Sequence, residues 1–227
     1  MNLNDFRSKL ASLADDNYRE FTMKGIPCER PFIGVRMPEI RRLVSKIPPE
    51  NFQEFLDFSP VAFEEVLAKG MVVSRLPYDK MMRYFDSQVS LIDNWCSCDS
   101  FVTELRPLVK KHLAEFLDLK IEGLLRTSDE FKVRVGLVML LNFYVEFDYL
   151  FLIFDRVEGL AEREEYYIKM AVAWLIAECF IKFPDETFGF LKKTGLSKWT
   201  FNKAISKICD SRRVLPEVKE ELRGMKK

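Results

Sequence analysis

Helix start signals recur along this sequence at an almost constant interval. A polar or helix-capping residue precedes an apolar-periodic segment at Ser59, Asp93, Ser128, Glu162 and Lys198, so that successive signals are 34, 35, 34 and 36 residues apart. Shorter helices are predicted between them, at 77–89, 107–124, 147–158 and 184–194. A repeat of two antiparallel helices of this length is typical of an α-solenoid, in which each unit buries its apolar face against its neighbours.

The length and composition agree with a helix-rich globular chain. The 227 residues suffice for one large domain or one continuous repeat array, and we expect a single repeat domain over residues 1–227. Only 9 Gly and 10 Pro interrupt the chain, which favours long helices over many short strands. The predicted fold class is therefore all-α. The 35 basic and 35 acidic side chains cancel, so the net charge neither supports nor excludes a nucleic-acid partner.

Metal sites, disulfides and membrane spans are not expected. The five cysteines are odd in number and lack the spacing of a disulfide framework, and His112 is the single histidine. We expect no metal and no cofactor. Residues 1–7 lack the apolar core of a signal peptide, and the apolar runs at 133–145 and 170–183 are too short or too charged to span a bilayer. We therefore expect a cytoplasmic protein.

The N-terminal region divides into two helical segments and a loop. Apolar residues at helical spacing predict one amphipathic helix over residues 4–21. Two glycines and two prolines make residues 22–35 a predicted loop. Pro38 suits the first turn of the next helix, where its missing N–H costs nothing.

Trp95 and Asp99 are four residues apart in the segment that follows the second start signal. On a helix they lie one above the other on a single face. An indole face attracts a cation and a carboxylate stabilises it, so this pair suits a reaction that develops positive charge. The structural alternative places Trp95 in the core and makes Asp99 the N-cap of the next helix. These two residues alone leave both interpretations open.

Two almost wholly apolar segments, 131–145 and 166–183, predict interior helices. Each contains a cation, Arg134 or Lys169, and a charge in such a helix is costly unless it is paired or faces a water-filled concavity. Counted from their start signals, Asp99 and Arg134 both fall six residues in. Equivalent positions of adjacent repeats stack along one face of a solenoid, so we expect these two residues to be neighbours. They would form either a structural salt bridge or a carboxylate beside a phosphate-binding cation.

Charge is unevenly distributed along the chain. Residues 146–166 hold seven acidic and two basic side chains, whereas residues 192–227 hold eleven basic and four acidic ones. The basic C-terminal segment and the basic residues of 36–46 could supply phosphate contacts. A solvated face is the alternative explanation for either run.

Four stretches of the sequence resemble the DNA alkylation repair family, the AlkD-type alkylpurine DNA glycosylases. Residues 34–41, which read GVRMPEIR, resemble the N-terminal signature of that family. Residues 94–99, Arg134 before its apolar run, and residues 169–174 follow in the family's order and at similar intervals. The resemblance covers about residues 5–213.

This resemblance implies a HEAT-like α-solenoid with a concave DNA-binding face, and an enzyme that hydrolyses the N-glycosidic bond of N3- or N7-alkylated purines without extruding the base. It implies that Asp99 is the catalytic carboxylate. It also implies that Trp95 and Trp174 lie against the sugar-phosphate of the lesion and that Arg134 lies near the backbone. The implied partner is double-stranded DNA that contains alkylated bases, with no metal and no membrane, and we expect a monomer.

Charged residues around these positions are candidates for binding the DNA backbone, namely Arg36, Arg134, Lys169 and Lys203. Two positions differ from the family pattern. Cys96 follows Trp95 where several active members carry a second acidic residue, and Ala177 stands where a basic residue is common. The alternatives are therefore a non-catalytic nucleic-acid-binding solenoid and a protein-interaction scaffold.

Overall fold

The computed structural model describes all residues, 1–227, and contains helices and no β-strand. The predicted all-α class is confirmed. The helices are α1 Leu3–Ser12, α2 Asp16–Gly25, α3 Met37–Val44, α4 Phe52–Asp57, α5 Phe63–Val73, α6 Tyr78–Val89, α7 Trp95–Val109, α8 Leu113–Phe116, α9 Glu122–Leu125, α10 Glu130–Phe143, α11 Phe147–Glu158, α12 Tyr166–Lys182, α13 Pro184–Leu191, α14 Lys198–Asp210 and α15 Pro216–Gly224. A π-helical segment, Leu117–Ile121, joins α8 to α9.

The chain divides into two compact units. Unit 1 comprises Met1–Lys111 with helices α1–α7, and unit 2 comprises His112–Lys227 with helices α8–α15. The single repeat domain over residues 1–227 stays a prediction. None of the helices combines the length and the apolar character needed to cross a membrane.

Each unit is built around one central helix that packs against several others. In unit 1 every residue of α5 is buried, and this helix packs against α3, α4, α6 and α7. In unit 2 α12 packs against α10, α13 and α14, and half or more of its residues are buried. Apolar side chains supply these contacts because their removal from water is the main favourable term in folding.

The predicted start signals lie at or just before real helix starts. The helices α5, α7, α10, α12 and α14 begin at most four residues after the corresponding signal. Three of them have a polar side chain that accepts a backbone N–H of the first turn, from Asn94, Asp129 or Ser197. Such caps satisfy donors that have no partner within the helix, which is why these positions punctuate the sequence.

Two predicted elements are wrong. Residues 4–21 form two helices because Asp15 accepts the N–H of Tyr18 and thereby starts α2. Pro107 does not begin a helix; it lies inside α7, because the burial of Leu105 and Val109 on either side of it outweighs the one backbone hydrogen bond that the proline removes. The following helical stretch begins only at Leu113.

All five cysteines are free thiols. Burial raises the pKa of the Cys28 thiol to about 11 and that of the Cys179 thiol to about 12. Desolvation disfavours the thiolate, so both groups are protonated at neutral pH.

Candidate functional site

One end of the loop formed by residues 26–36 is anchored on a buried carboxylate. The carboxylate of Glu64, in the first turn of α5, accepts the three successive backbone N–H groups of residues 33–35 at 2.7–3.1 Å. Gly34 has φ 96°, and a Cβ there would lie 2.5 Å from the carbonyl oxygen of Asp15. Only glycine fits this backbone conformation and this close approach.

The other end of the 26–36 loop is held at the start of α7. The Asp93 carboxylate accepts from the Arg30 guanidinium at 2.9 Å and from the backbone N–H of Glu29 at 3.3 Å. The buried side chain of Asn94 donates to Asp93 and accepts the N–H of Ser97, so it caps α7. Residues far apart in sequence therefore fix the first turn of α7.

Trp95 is the first residue of α7, and its indole is oriented by a hydrogen bond. The indole N–H donates to the carbonyl oxygen of Gly25, the last residue of α2, at 3.0 Å. The side chain is 36% exposed, so Trp95 is not a core residue as the structural alternative assumed. An indole that is both held and exposed can present its ring to a ligand.

Asp99 lies one helical turn after Trp95, inside α7, and is half-buried. It is not a helix N-cap, because Asn94 has that role. Its charge acts on the neighbouring Cys96 thiol: burial raises the pKa of Cys96, a hydrogen bond with Ser100 opposes this, and the Asp99 carboxylate raises it further. Cys96 is therefore a neutral thiol beside a negative charge.

Arg36 lies at the other end of α2 from Trp95. Its guanidinium donates to the Asp15 carboxylate at 3.1 Å and lies 4.3 Å from the centre of the Tyr18 ring. The Tyr18 N–H, followed by Arg36, holds the pKa of Asp15 below its usual range. Because α2 has ten residues, its two ends are about 15 Å apart. Arg36 is exposed, but the structure does not place it beside Trp95.

Unit 2 contains a row of aromatic rings at the starts of three helices. Ring centres are 5.1 Å apart for Phe131 and Tyr167, 5.1 Å for Tyr167 and Tyr166, and 5.9 Å for Tyr166 and Trp199. These residues occupy the first two positions of α10, α12 and α14. Tyr166 is 54% exposed and Trp199 is 40% exposed. We call these four residues the aromatic row.

Arg134 lies beneath the aromatic row. It is 5% exposed, donates to the backbone carbonyl of Tyr167 at 3.3 Å, and has its guanidinium 5.9 Å from the centre of the Tyr167 ring. Burial is the largest of the effects that raise the pKa of the Tyr167 hydroxyl, while the Arg134 charge opposes them. Arg134 therefore connects α10 to the first turn of α12, and little of its surface is open to a ligand.

Two lysines lie beside the aromatic row. The Lys169 ammonium is 2.8 Å from the Glu164 carboxylate and 5.2 Å from the centre of the Trp199 ring. Lys203 lines a shallow depression of about 500 Å³ together with Trp199 and three further residues of α14. The side chain of Trp174, on α12, is half-buried. Lys169 and Lys203 therefore both lie beside the exposed ring of Trp199.

An ion pair fixes the turn before α12. Arg163 donates to the Glu165 carboxylate at 2.7 Å and to the carbonyl oxygens of Thr127 and Ser128. Arg163 is the main reason that the pKa of Glu165 falls to about 2. This pair ties the start of α12 to the turn before α10 and keeps Tyr166 and Tyr167 next to Phe131.

The predicted site residues therefore fall into two groups. Trp95, Asp99 and Arg36 lie in unit 1, and the remaining four lie in unit 2, namely Arg134, Lys169, Trp174 and Lys203. The contact between Asp99 and Arg134 stays a prediction. The sequence analysis missed Tyr166 and Trp199. The sequence feature that could have identified them is an aromatic residue in one of the first two positions of every helix that follows a start signal.

Comparison with known proteins adds one finding. The family model described as DNA alkylation repair enzyme matches residues 6–208, a span that includes all seven predicted site residues. No curated protein matches the chain.

Proposed function

The chain belongs to the DNA alkylation repair enzyme family, and on this premise we propose that it is a glycosylase that releases cationic N3- or N7-alkylated purines from double-stranded DNA. The observation that carries this proposal is the pair on α7. Asp99 lies one turn from Trp95, whose exposed indole is oriented by the Gly25 carbonyl. This arrangement offers a carboxylate and a π-face to one ligand.

The chemistry requires little beyond these two groups. An alkylated purine carries a positive charge and is already a good leaving group, so no strong general acid is needed. Cleavage leaves oxocarbenium character on the deoxyribose, as in other glycosidic hydrolyses. Asp99 would stabilise that cation and orient a water molecule, while the indole of Trp95 adds cation–π attraction and excludes solvent. The family resemblance assigns the same role to Trp174.

We further propose a HEAT-like α-solenoid that acts as a monomer. Within unit 1, α5 packs against both α3 and α7, and within unit 2, α12 packs against both α10 and α14. Contact between every second helix is what a stack of antiparallel helix pairs requires. The near-constant interval between helix starts supports the same arrangement.

The DNA backbone would be bound by the charged residues around these aromatic groups. Lys169 and Lys203 beside Trp199 offer cations next to an exposed ring in unit 2. Arg36 lies about 15 Å from Trp95 along α2, a distance of about four base-pair steps, so it would bind a phosphate away from the lesion. Arg134 is largely buried, so its role would be to position Tyr167 and to bind a phosphate only through its exposed edge.

The proposal is tested by Asp99→Asn. Asparagine keeps the shape but removes the negative charge, so release of purines from methylated DNA should fall at least about a hundredfold, the ~3–4 kcal/mol typical of lost electrostatic stabilisation. DNA affinity and the unfolding midpoint should stay near wild type. The measurement is single-turnover release of labelled 7-methylguanine and 3-methyladenine, with parallel DNA-binding titrations.

The matched control is Asp79→Asn, which removes an exposed carboxylate from α6 in the same unit. It should leave purine release unchanged. If Asp99→Asn instead lowers the unfolding midpoint while release per folded molecule is preserved, Asp99 is structural and the catalytic assignment is wrong.

A second candidate function is DNA binding without excision. It is favoured by the neutral Cys96 thiol and by the buried Ala177, which replace an acidic and a basic residue common in the family. Wild-type protein that binds methylated DNA but releases no base would establish this function. Restoring the family residues with Cys96→Asp and Ala177→Arg would then test whether these two positions explain the loss.

A further inference from the structure

A cavity of about 440 Å³ opens between α4 and α6 in unit 1, among residues that the proposed glycosylase site does not use. Its floor is apolar and is formed by the buried side chains of Phe52, Leu56 and Leu76. The volume lies within the range of about 300–1,000 Å³ that is usual for small-molecule sites. The cavity is thus large enough for an organic ligand.

The rim of this cavity is positively charged. Arg75, Lys80 and Arg83 line it, against one carboxylate, that of Glu50. Lys80 and Arg83 make no ion pair and no side-chain hydrogen bond within the protein. Most other arginines of the chain do form ion pairs. Cations that converge without protein partners attract an anion, and arginine binds phosphate oxygens through its planar guanidinium.

Arg75 is held in a single orientation at this rim. Its Nη1 donates to the carbonyl oxygens of Val44 at 2.6 Å and Ile47 at 3.3 Å, and the guanidinium lies 4.7 Å from the centre of the Phe52 ring. Its Nη2 makes no hydrogen bond within the protein, so it can donate to a ligand. A donor that is already oriented loses little entropy when it binds.

The N-terminal end of α6 lies at the same cavity. Pro77 and Lys80 line it, and Pro77 is the N-cap of this twelve-residue helix, whose first turn has no side-chain cap. The uncapped N–H groups and the helix dipole favour negative charge at this end. The Asp79 carboxylate lies in this turn but does not line the cavity.

The remaining walls suit the organic part of a nucleotide. The Tyr84 ring and the apolar floor offer flat surfaces, and Gln53 donates to the Tyr84 hydroxyl at 3.2 Å, which fixes that ring. Glu50 can accept hydrogen bonds from ribose hydroxyl groups. We propose that this cavity binds a nucleoside 5′-monophosphate group, with its phosphate among Arg75, Lys80 and Arg83 and its base against the floor. The group could belong to a free nucleotide or to the 5′ end of a strand.

The experiment is a titration of the full chain with adenosine 5′-monophosphate, observed by calorimetry and by NMR, at low salt. Adenosine and inorganic phosphate are measured separately. The double variant Lys80→Gln/Arg83→Gln removes two exposed charges that hold nothing in the protein, so it should fold normally, as a thermal melt will show. Arg106→Gln, which removes an exposed and unpaired arginine of α7, is the matched control.

We expect the nucleotide to bind at least about tenfold more tightly than adenosine or phosphate alone, and the double variant to lose about tenfold or more in affinity, because each lost pair is charge-assisted. Arg106→Gln should bind as wild type does. A 5′-phosphorylated tetranucleotide that binds more tightly than the nucleotide identifies the end of a strand as the source, and equal or weaker binding identifies a free nucleotide.

The proposal is overturned if the double variant and wild type bind adenosine 5′-monophosphate equally. It is also overturned if inorganic phosphate binds as tightly as the nucleotide, or if the NMR shifts map away from α4 and α6. None of these results depends on purine release, so this site can fail while the glycosylase proposal stands, and the reverse is also possible.

Discussion

The first turns of the long helices have different surroundings in the two units. In unit 1 the 26–36 loop covers them: the Glu64 carboxylate holds it on α5, Asp93 holds it on α7, and Phe63 packs against Phe32 with ring centres 4.6 Å apart. In unit 2 no such loop covers Tyr166 and Trp199, which are about half exposed. Phe63 at the start of α5 therefore contributes to the core of unit 1, whereas Tyr166 and Trp199 at the starts of α12 and α14 form an accessible surface in unit 2.

The largest effect that we expect from this difference between the units is a loss of stability on substitution of Glu64. Glu64→Ala leaves three backbone N–H groups of residues 33–35 without their acceptor, and at about 1 kcal/mol or more for each unsatisfied group the expected loss of stability is at least ~3 kcal/mol. The matched change in unit 2 is Glu158→Ala, since Glu158 also holds a loop through Thr194 and Gly195 but is exposed to water. It should cost only about 1 kcal/mol. Urea unfolding of both variants measures the difference, and equal losses would contradict the contrast between the units.

The second prediction concerns the open surface of unit 2 and rests on the proposed function. The double variant Tyr166→Ala/Trp199→Ala should weaken DNA binding about tenfold or more, because it removes two exposed rings against which the sugar-phosphate backbone would pack, and tenfold corresponds to about 1.4 kcal/mol. Phe147→Ala is the control, since this equally exposed aromatic residue lies outside the aromatic row. A comparable loss of affinity in Phe147→Ala would mean that the aromatic row has no special role.

A smaller effect is expected at Trp95, whose ring is exposed like those of Tyr166 and Trp199 but is held by a hydrogen bond. Trp95→Phe keeps a ring but removes the hydrogen bond to the Gly25 carbonyl, so it should cost about 1 kcal/mol of stability. The indole N–H of Trp199 makes no hydrogen bond within the protein, and Trp199→Phe should cost almost nothing by the same measure. Thermal unfolding of the two variants measures how much stability the hydrogen bond of the Trp95 indole contributes.

The smallest prediction is a pH dependence in unit 2. Arg163 holds the pKa of Glu165 at about 2, below its ordinary value of 4.5, so the pair stabilises the protein above about pH 4.5 and this contribution is lost as the pH falls towards 2. Because the Glu165 side chain is 37% exposed, the effect should stay below ~1 kcal/mol. Acid titration of stability in wild type and Glu165→Gln should converge near pH 2. A constant difference from pH 7 to pH 2 would exclude the ion pair as its origin.

Local signals in the sequence predicted the helices but not what covers them. The bounds of α11 are those predicted, 147–158, because apolar periodicity and start signals depend only on neighbouring residues. Glu64, in contrast, carries no sign of burial in its own neighbourhood, since its acceptor role depends on residues about 30 positions earlier. Pro107 failed as a start signal for a related reason, because the burial of its neighbours Leu105 and Val109 by other parts of the chain keeps it inside α7.

The candidate site could be predicted to a similar extent. The spacing of Trp95 and Asp99 on one helical face is confirmed, because both lie in α7 one turn apart. The apolar segment around Arg134 already indicated a cation in an interior helix, and Arg134 is 5% exposed. The hydrogen bond from Arg36 to Asp15 at the start of α2 could not be predicted, because it depends on how the 26–36 loop folds back. The number of charged residues near a candidate site therefore overestimates how many cations can bind a ligand, because some of them are buried or already bind groups of the protein.

The raised pKa values of Cys28 and Cys179 determine how these thiols react with alkylating agents. Electrophiles of this kind react with a thiolate rather than with a thiol. With a pKa of about 11, the Cys28 group is ionised in only about one molecule in ten thousand at pH 7, and Cys179 in fewer still. Iodoacetamide at neutral pH should therefore label these two cysteines in unfolded protein far faster than in native protein. Burial therefore protects the Cys28 and Cys179 thiols of the native protein from alkylation at neutral pH.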